Sequence, residues 1–125
     1  MRLLLDTHIL IWWMEDSPQL SSRARRLILD ADQVLVSAAS VWESAIKAGL
    51  GKLRMDAEEL AVRIDGQGFE RLAIVYEHAV VVQKLPHHHR DPFERLLVAQ
   101  AISERINLLT ADVHLATYSD LVIVA

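Results

Sequence analysis

Asp91-Pro92-Phe93-Glu94-Arg95-Leu96-Leu97-Val98-Ala99-Gln100-Ala101-Ile102, followed shortly by Asn107-Leu108-Leu109-Thr110, decides how this chain folds. Asp91 can cap a helix, and Pro92 behind it suits the first helical position because its φ is fixed and it has no N–H to leave unpaired. Glu94 adds an acid to the first turn, and apolar residues then recur at helical spacing to Ile102. The short apolar run from Asn107 to Thr110 reads instead as a fully buried strand. The same pairing of helix and buried strand continues outward. Arg2 to Leu5, Val34 to Val36 and Leu121 to Val124 are further strands, with Leu72 to Val75 a weaker fifth. Helices are expected from a cap at Ser21 or Ser22 through Asp30, from Ala39 to Ala48 with Gly49 ending it, and from Asp56 to Ile64. Strands alternating with helices predict an α/β fold: a parallel sheet covered on both faces, with sites at the carboxyl ends of its strands.

With 125 residues, 52% of them hydrophobic, the chain has apolar surface for one core, so a single domain over residues 1–125 is expected. No cysteine occurs, which excludes disulfides, thiolate metal sites and cysteine nucleophiles. The start reaches Asp6 too soon for a signal peptide, and no apolar run approaches the roughly 20 residues of a membrane span. A soluble cytoplasmic protein is expected. The net charge of −4 argues against a domain that grips nucleic acid through overall positive charge. It leaves a nuclease open, because divalent ions held by carboxylates can supply the positive charge that meets a phosphate.

The acids fall at one edge of the predicted sheet. Asp6 follows the first strand, Glu43 lies one turn into the helix after the second, Asp91 and Glu94 open the long helix, and Asp112 follows the fourth strand. Strand carboxyl ends and helix amino ends meet there, so acids far apart in sequence can converge. Like charges within about 4–6 Å raise one another's pKa unless a cation neutralises them. Oxygen ligands without cysteine favour Mg²⁺ or Mn²⁺. Each acid also has a plainer reading. Asp91 is an ordinary helix cap, Asp112 a cap of the short helix after it, and Glu43 part of a solvated helix face. Asp6 is harder to dismiss, since an acid directly after Leu3-Leu4-Leu5 sits where burial begins and needs a partner. Beside the acids, Thr7, Ser37 and Thr110 offer hydroxyls for carboxylates or phosphate, with local capping as the alternative. Lys47, Lys52, Arg54 and Arg90 are candidates for substrate phosphates, as are Arg23, Arg25 and Arg26 from another helix.

Four ordered runs carry a resemblance: Leu3-Leu4-Leu5-Asp6-Thr7-His8, Val36-Ser37-Ala38-Ala39-Ser40-Val41-Trp42-Glu43, Arg90 to Ala101, and Leu108-Leu109-Thr110-Ala111-Asp112. Together they resemble the successive signatures of PIN-domain nucleases of the VapC toxin type, over nearly the whole chain. The resemblance implies a three-layer α/β/α sandwich with a central parallel sheet of about five strands, an acid cluster binding Mg²⁺ or Mn²⁺, and endonucleolytic cleavage of RNA. It also implies a cognate antitoxin and a homodimer. By position, Asp6, Glu43 and Asp112 match the family's first, second and fourth acids. The third falls by spacing on Glu94, where Glu replaces the more usual Asp, while some relatives carry acids at both Asp91 and Glu94. Positions i and i+3 share a helix face, so both are named as metal and catalytic residues.

Other readings are weaker. Gly49-Leu50-Gly51-Lys52 lacks the rest of a phosphate-loop motif and follows a helix, so it reads as a helix end and turn. Adjacent residues of His87-His88-His89 point in alternating directions in an extended chain and cannot all face one ion; they are expected to be loop histidines. No G-x-S-x-G elbow is present. The competing functions are a metal-dependent phosphatase with Asp6 as nucleophile, and a catalytically weak module acting mainly through antitoxin binding. Asp6-Thr7-His8 lacks the second Asp of many such phosphatases, and the retained acids argue against the module. Finally, Ile9-Leu10-Ile11-Trp12-Trp13-Met14 would cover every side of a helix, since successive residues turn by about 100°. One face cannot bury the whole run, so a tryptophan is expected to stay exposed beside the acids, where an antitoxin or a second copy would cover it.

Overall fold

The run Leu3-Leu4-Leu5 is buried on both sides. In the computed structural model, which describes all residues from Met1 to Ala125, Leu3 and Leu5 belong to one apolar cluster and Leu4 to another. Strand side chains alternate between faces, so a continuously apolar strand needs a covered sheet on each side. β1 (Arg2–Leu5) is the middle strand of that sheet, flanked by β2 (Gln33–Ser37) and β4 (Asn107–Thr110). β3 (Glu70–Leu72) and β5 (Val122–Val124) form the edges, giving the order β3-β2-β1-β4-β5, with all pairings parallel.

One face is covered by α1 (Thr7–Met14), α2 (Ser22–Asp30) and α4 (Ala57–Gly66), which contribute Ile9, Leu10, Ala24, Ile28, Leu60 and Ile64. The other is covered by α5 (Tyr76–Lys84), α6 (Pro92–Glu104) and a short 3₁₀ turn over Val113–Thr117. α3 (Ala38–Gly49) stands at the margin, with Ala39 in the second cluster and Val41 packed against the first. The result is the expected α/β/α sandwich with five parallel strands. Helix boundaries follow the caps: Ser21 accepts from the Ala24 amide at 3.0 Å, and Asp56 from Glu59 at 2.8 Å. Gly49 and Gly51 mark a helix end and turn, Gly51 taking a φ of +73°.

Two sequence readings need correction. The third strand is Glu70–Leu72, not Leu72 to Val75. Leu72 pairs with Ser37, the last residue of β2, so beyond it no neighbouring backbone remains to bond Ala73, Ile74 and Val75. The chain instead enters α5, which the sequence reading missed. Its start lacks a Ser, Thr, Asp or Asn cap; instead the Val75 amide donates to Nδ1 of His78 at 3.1 Å. His78 is fully buried, and its Nε2 lies 2.9 Å from Glu104 on α6. That helix is therefore held by a tertiary contact with no local signature.

Candidate active site

The strand order reverses at β1. The chain runs outward to β2 and β3, then crosses back to β4 on the other side of β1. A crevice at strand carboxyl ends opens at such a switch point, and Asp6 and Asp112 stand beside it as the residues just after β1 and just beyond β4. Asp6 caps α1 by accepting from the His8 amide at 2.8 Å, and its other oxygen accepts from the Thr110 hydroxyl at 2.6 Å. That hydroxyl in turn accepts from the Asp112 amide at 3.0 Å. One threonine therefore fixes two acids a hundred residues apart in sequence. Asp112 also caps its 3₁₀ turn, through the His114 amide at 2.9 Å. Glu94 comes from the first turn of α6, and Glu43 from the middle of α3, where it is 8% exposed and paired with Lys47 at 3.2 Å.

Glu94 and Asp6 are both perturbed upward. Burial, reinforced by Asp6, Asp112, Asp91 and Glu43, pushes the Glu94 carboxyl up to about 8. Burial also raises Asp6, opposed by the hydrogen bonds from Thr110 and His8. Oε2 of Glu94 is buried and has no hydrogen-bond partner. A buried carboxylate oxygen with neither proton donor nor cation is costly. Ligand atoms of Asp6, His8 and Glu94 lie within 4.8 Å of one another, as do those of His89, Glu94 and Asp112, so Glu94 belongs to both groups. Carboxylate oxygens with imidazole and no thiolate suit a hard divalent cation, whose charge would offset both the burial that chiefly raises Glu94 and Asp6 and the repulsion that adds to it.

The remaining candidates separate. Asp91 caps α6, accepting from Phe93 at 2.8 Å and Glu94 at 3.4 Å, and stands outside both ligand groups. Ser37 caps α3 through the Ala39 amide at 3.0 Å, and Thr7 donates to Ser40 at 3.0 Å; both are buried. Thr110 alone of the three hydroxyls touches an acid. Lys47 is committed to Glu43, Arg25 pairs with Asp16, and Arg23 donates to the Val124 carbonyl, while Arg90 is exposed. The run Ile9 to Met14 divides by position on α1. Ile9, Leu10 and Met14 are buried and Ile11, Trp12 and Trp13 half-buried. Trp13 donates to Gln67 at 3.1 Å and packs on Phe69, whereas Trp12 lines the hollow that contains Asp6, His8, Glu94 and Asp112. The most exposed tryptophan is Trp42 on α3, 59% accessible and edge-on to Phe93.

His8 and His89 were not singled out as site residues by the sequence. His8 directly follows Asp6-Thr7, and that adjacency was its only signal. Three consecutive histidines cannot all face one ion, and the geometry brings one of them, His89, to the acids. Its Nε2 lies 3.1 Å from Asp112 and 3.8 Å from Glu94.

Comparison with known proteins bears on the whole chain. The family model described as PIN domain matches residues 3–121. Ribonuclease VapC22 of Mycobacterium tuberculosis is 29% identical over 117 residues, covering 92% of this chain and 90% of that protein. Among solved structures, VapBC2 from Rickettsia felis bound to a DNA fragment from their promoter aligns with a TM-score of 0.71 at 17% identity, covering 100% of this chain and 98% of that one. FitAcB from Neisseria gonorrhoeae aligns with a TM-score of 0.69 at 17% identity, covering 98% and 96%. At these identities the solved structures speak for the fold.

Proposed function

The chain belongs to the PIN domain family, and we propose on that premise that it is the toxin of a toxin–antitoxin pair, an endoribonuclease that hydrolyses RNA phosphodiester bonds with Mg²⁺ or Mn²⁺. The observation that carries the reading is the buried, unpartnered Oε2 of Glu94 set among Asp6, Asp112, Asp91 and Glu43; burial first, and then these acids, raise its carboxyl to about 8. Such an arrangement is unfavourable in an empty acid pocket and favourable around a cation. The likeness to Ribonuclease VapC22 supports RNA as substrate, and the likeness to toxin–antitoxin complexes supports an antitoxin partner. No helix is long and apolar enough to cross a membrane. We assign the activity to residues 1–125 acting as one domain in the cytoplasm, with homodimerisation as in the resembled toxins.

Asp6, Glu94 and Asp112 are assigned as the direct holders of the ion, Glu43 as a further acid beside them, and Asp91 as the cap that orients Glu94. A divalent cation held there supplies positive charge to the scissile phosphate and lowers the pKa of an attacking water. Thr110 keeps one Asp6 oxygen occupied and so fixes the direction of the other. Lys47 stays paired with Glu43 and limits the charge facing the phosphate. Trp12 gives the hollow an apolar wall on which an unstacked base can rest. The test is cleavage of single-stranded RNA by antitoxin-free protein in Mg²⁺, in Mn²⁺ and in chelator, with Asp6→Asn alongside. Cleavage that survives both chelator and Asp6→Asn refutes the metal reading. Release of inorganic phosphate from small phosphoesters without RNA cleavage replaces it with a phosphatase.

A further inference from the structure

We propose that His89 is a positioning residue of the acid cluster: its Nε2–H holds Asp112 in the orientation from which that carboxylate, with Glu94, receives the ion. The inference rests on the metal reading above and adds a residue to it. It begins with the direction of one hydrogen bond. The Asp91 amide donates to Nδ1 of His89 at 3.1 Å. An amide N–H can be accepted only by a ring nitrogen with a free lone pair, so the single proton of the neutral ring sits on Nε2. Nε2 therefore donates, and its acceptor at 3.1 Å is Oδ2 of Asp112. The other Asp112 oxygen is held by the His114 amide, so the two donors together set the plane of the carboxylate.

The segment carrying His89 is clamped rather than loose. Arg95, a buried cation one residue along α6 from Glu94, donates to the carbonyls of Pro86 at 2.8 Å and Val82 at 3.1 Å. It also donates to the Tyr118 hydroxyl at 3.2 Å, and that oxygen accepts from the His89 amide at 2.8 Å. The helix that presents Glu94 thus also fixes the ring that orients Asp112. Loss of a hydrogen-bond partner that orients a metal ligand typically costs about 10–100-fold in metal affinity.

Two substitutions separate this role from a merely structural one. In His89→Gln the side-chain amide places a donor near Nε2 and lacks an acceptor at Nδ1. In His89→Asn the carbonyl replaces the Nδ1 acceptor and the Nε2 donor is lost. The readout is Mn²⁺ titration of metal-free protein by calorimetry, with thermal unfolding of the same samples. The expected result is a 10–100-fold weaker Mn²⁺ affinity for His89→Asn, affinity within about threefold of wild type for His89→Gln, and unfolding temperatures near wild type for both. Unchanged affinity in His89→Asn overturns the proposal. Equal losses in both variants also overturn it, since they make the ring either a direct ligand or a brace for the turn. Wild-type protein that binds no Mn²⁺ overturns the metal reading itself, and with it this inference.

Discussion

Replacing Glu94 by Gln should stabilise the metal-free protein while removing its response to metal. The Glu94 carboxyl rises from 4.5 to about 8 on folding, through burial and then through Asp6, Asp112, Asp91 and Glu43. The unfolded chain releases that proton near pH 4.5 and the folded chain holds it until near pH 8, so between these values the folded state binds more protons. Stability from this group is therefore undiminished at low pH and falls as pH rises through the window. At about 1.36 kcal/mol per unit, the loss reaches a ceiling on the order of 5 kcal/mol above pH 8. Gln leaves a polar group in the same unpartnered place, which costs roughly 1–3 kcal/mol of that gain. The net expectation at pH 8.5 in chelator is a gain of at most about 2–4 kcal/mol, or on the order of 10 °C for a domain of this size. At pH 5 only that cost remains, so the variant should be no more stable than wild type. Some slope should persist in the variant, because burial raises Asp6 in the same direction. Mn²⁺ at a hundred times its dissociation constant should stabilise wild type by about 2.7 kcal/mol and the variant by much less, narrowing or reversing the order. Urea unfolding from pH 5 to 9, with and without Mn²⁺, measures all of this. If Glu94→Gln gains no stability at pH 8.5 in chelator, or runs parallel to wild type at every pH, Glu94 is not under electrostatic strain and the argument for a cation site fails.

Three further outcomes are expected. Asp6→Asn keeps the size and, through its one oxygen, the cap, while its NH2 must donate to the Thr110 hydroxyl instead of accepting from it; it should stay folded with a modest loss of stability while RNA cleavage falls at least about 100-fold, and a smaller loss would remove Asp6 from the mechanism. Asp91→Ala should cost about 1 kcal/mol through its lost helix cap, whereas Asp91→Asn should keep most of the stability and lower Mn²⁺ affinity less than Glu94→Gln does. Calorimetry showing the reverse order would make Asp91 the third acid. Trp12→Ala should raise KM for RNA by roughly tenfold through lost base stacking, with Trp12→Phe close to wild type, and steady-state kinetics in which kcat alone falls would refute that role.

How far the sequence reached depends on the range of the interactions concerned. β1, β2, β4 and β5 and the helices α2, α3, α4 and α6 were legible because apolar period and capping chemistry are local properties, written within a few residues. The acids at strand ends were legible for a related reason: in a parallel sheet, position along the chain fixes which edge a residue reaches. Beyond that, only the assembled fold decided. β3 stops at Leu72 because its partner β2 stops at Ser37, and α5 is tied to α6 through His78 and Glu104 and packs Val81 and Val82 on the core, contacts between residues far apart in the chain. Asp91 was legible both as a cap and as a site acid beside Glu94, and the fold shows it as the cap, outside the two ligand groups that contain Glu94. His89 was indistinguishable from His87 and His88 until Arg95 and Tyr118 fixed its segment. Trp42 is exposed and Trp13 tied to Gln67 by the placement of neighbouring helices, not by their own surroundings in the chain. The sequence by itself determined which chemical groups are available and roughly which edge they occupy. Tertiary structure alone decided which of them meet, because hydrogen bonds and charge repulsion act over a few ångströms between residues that the chain holds far apart.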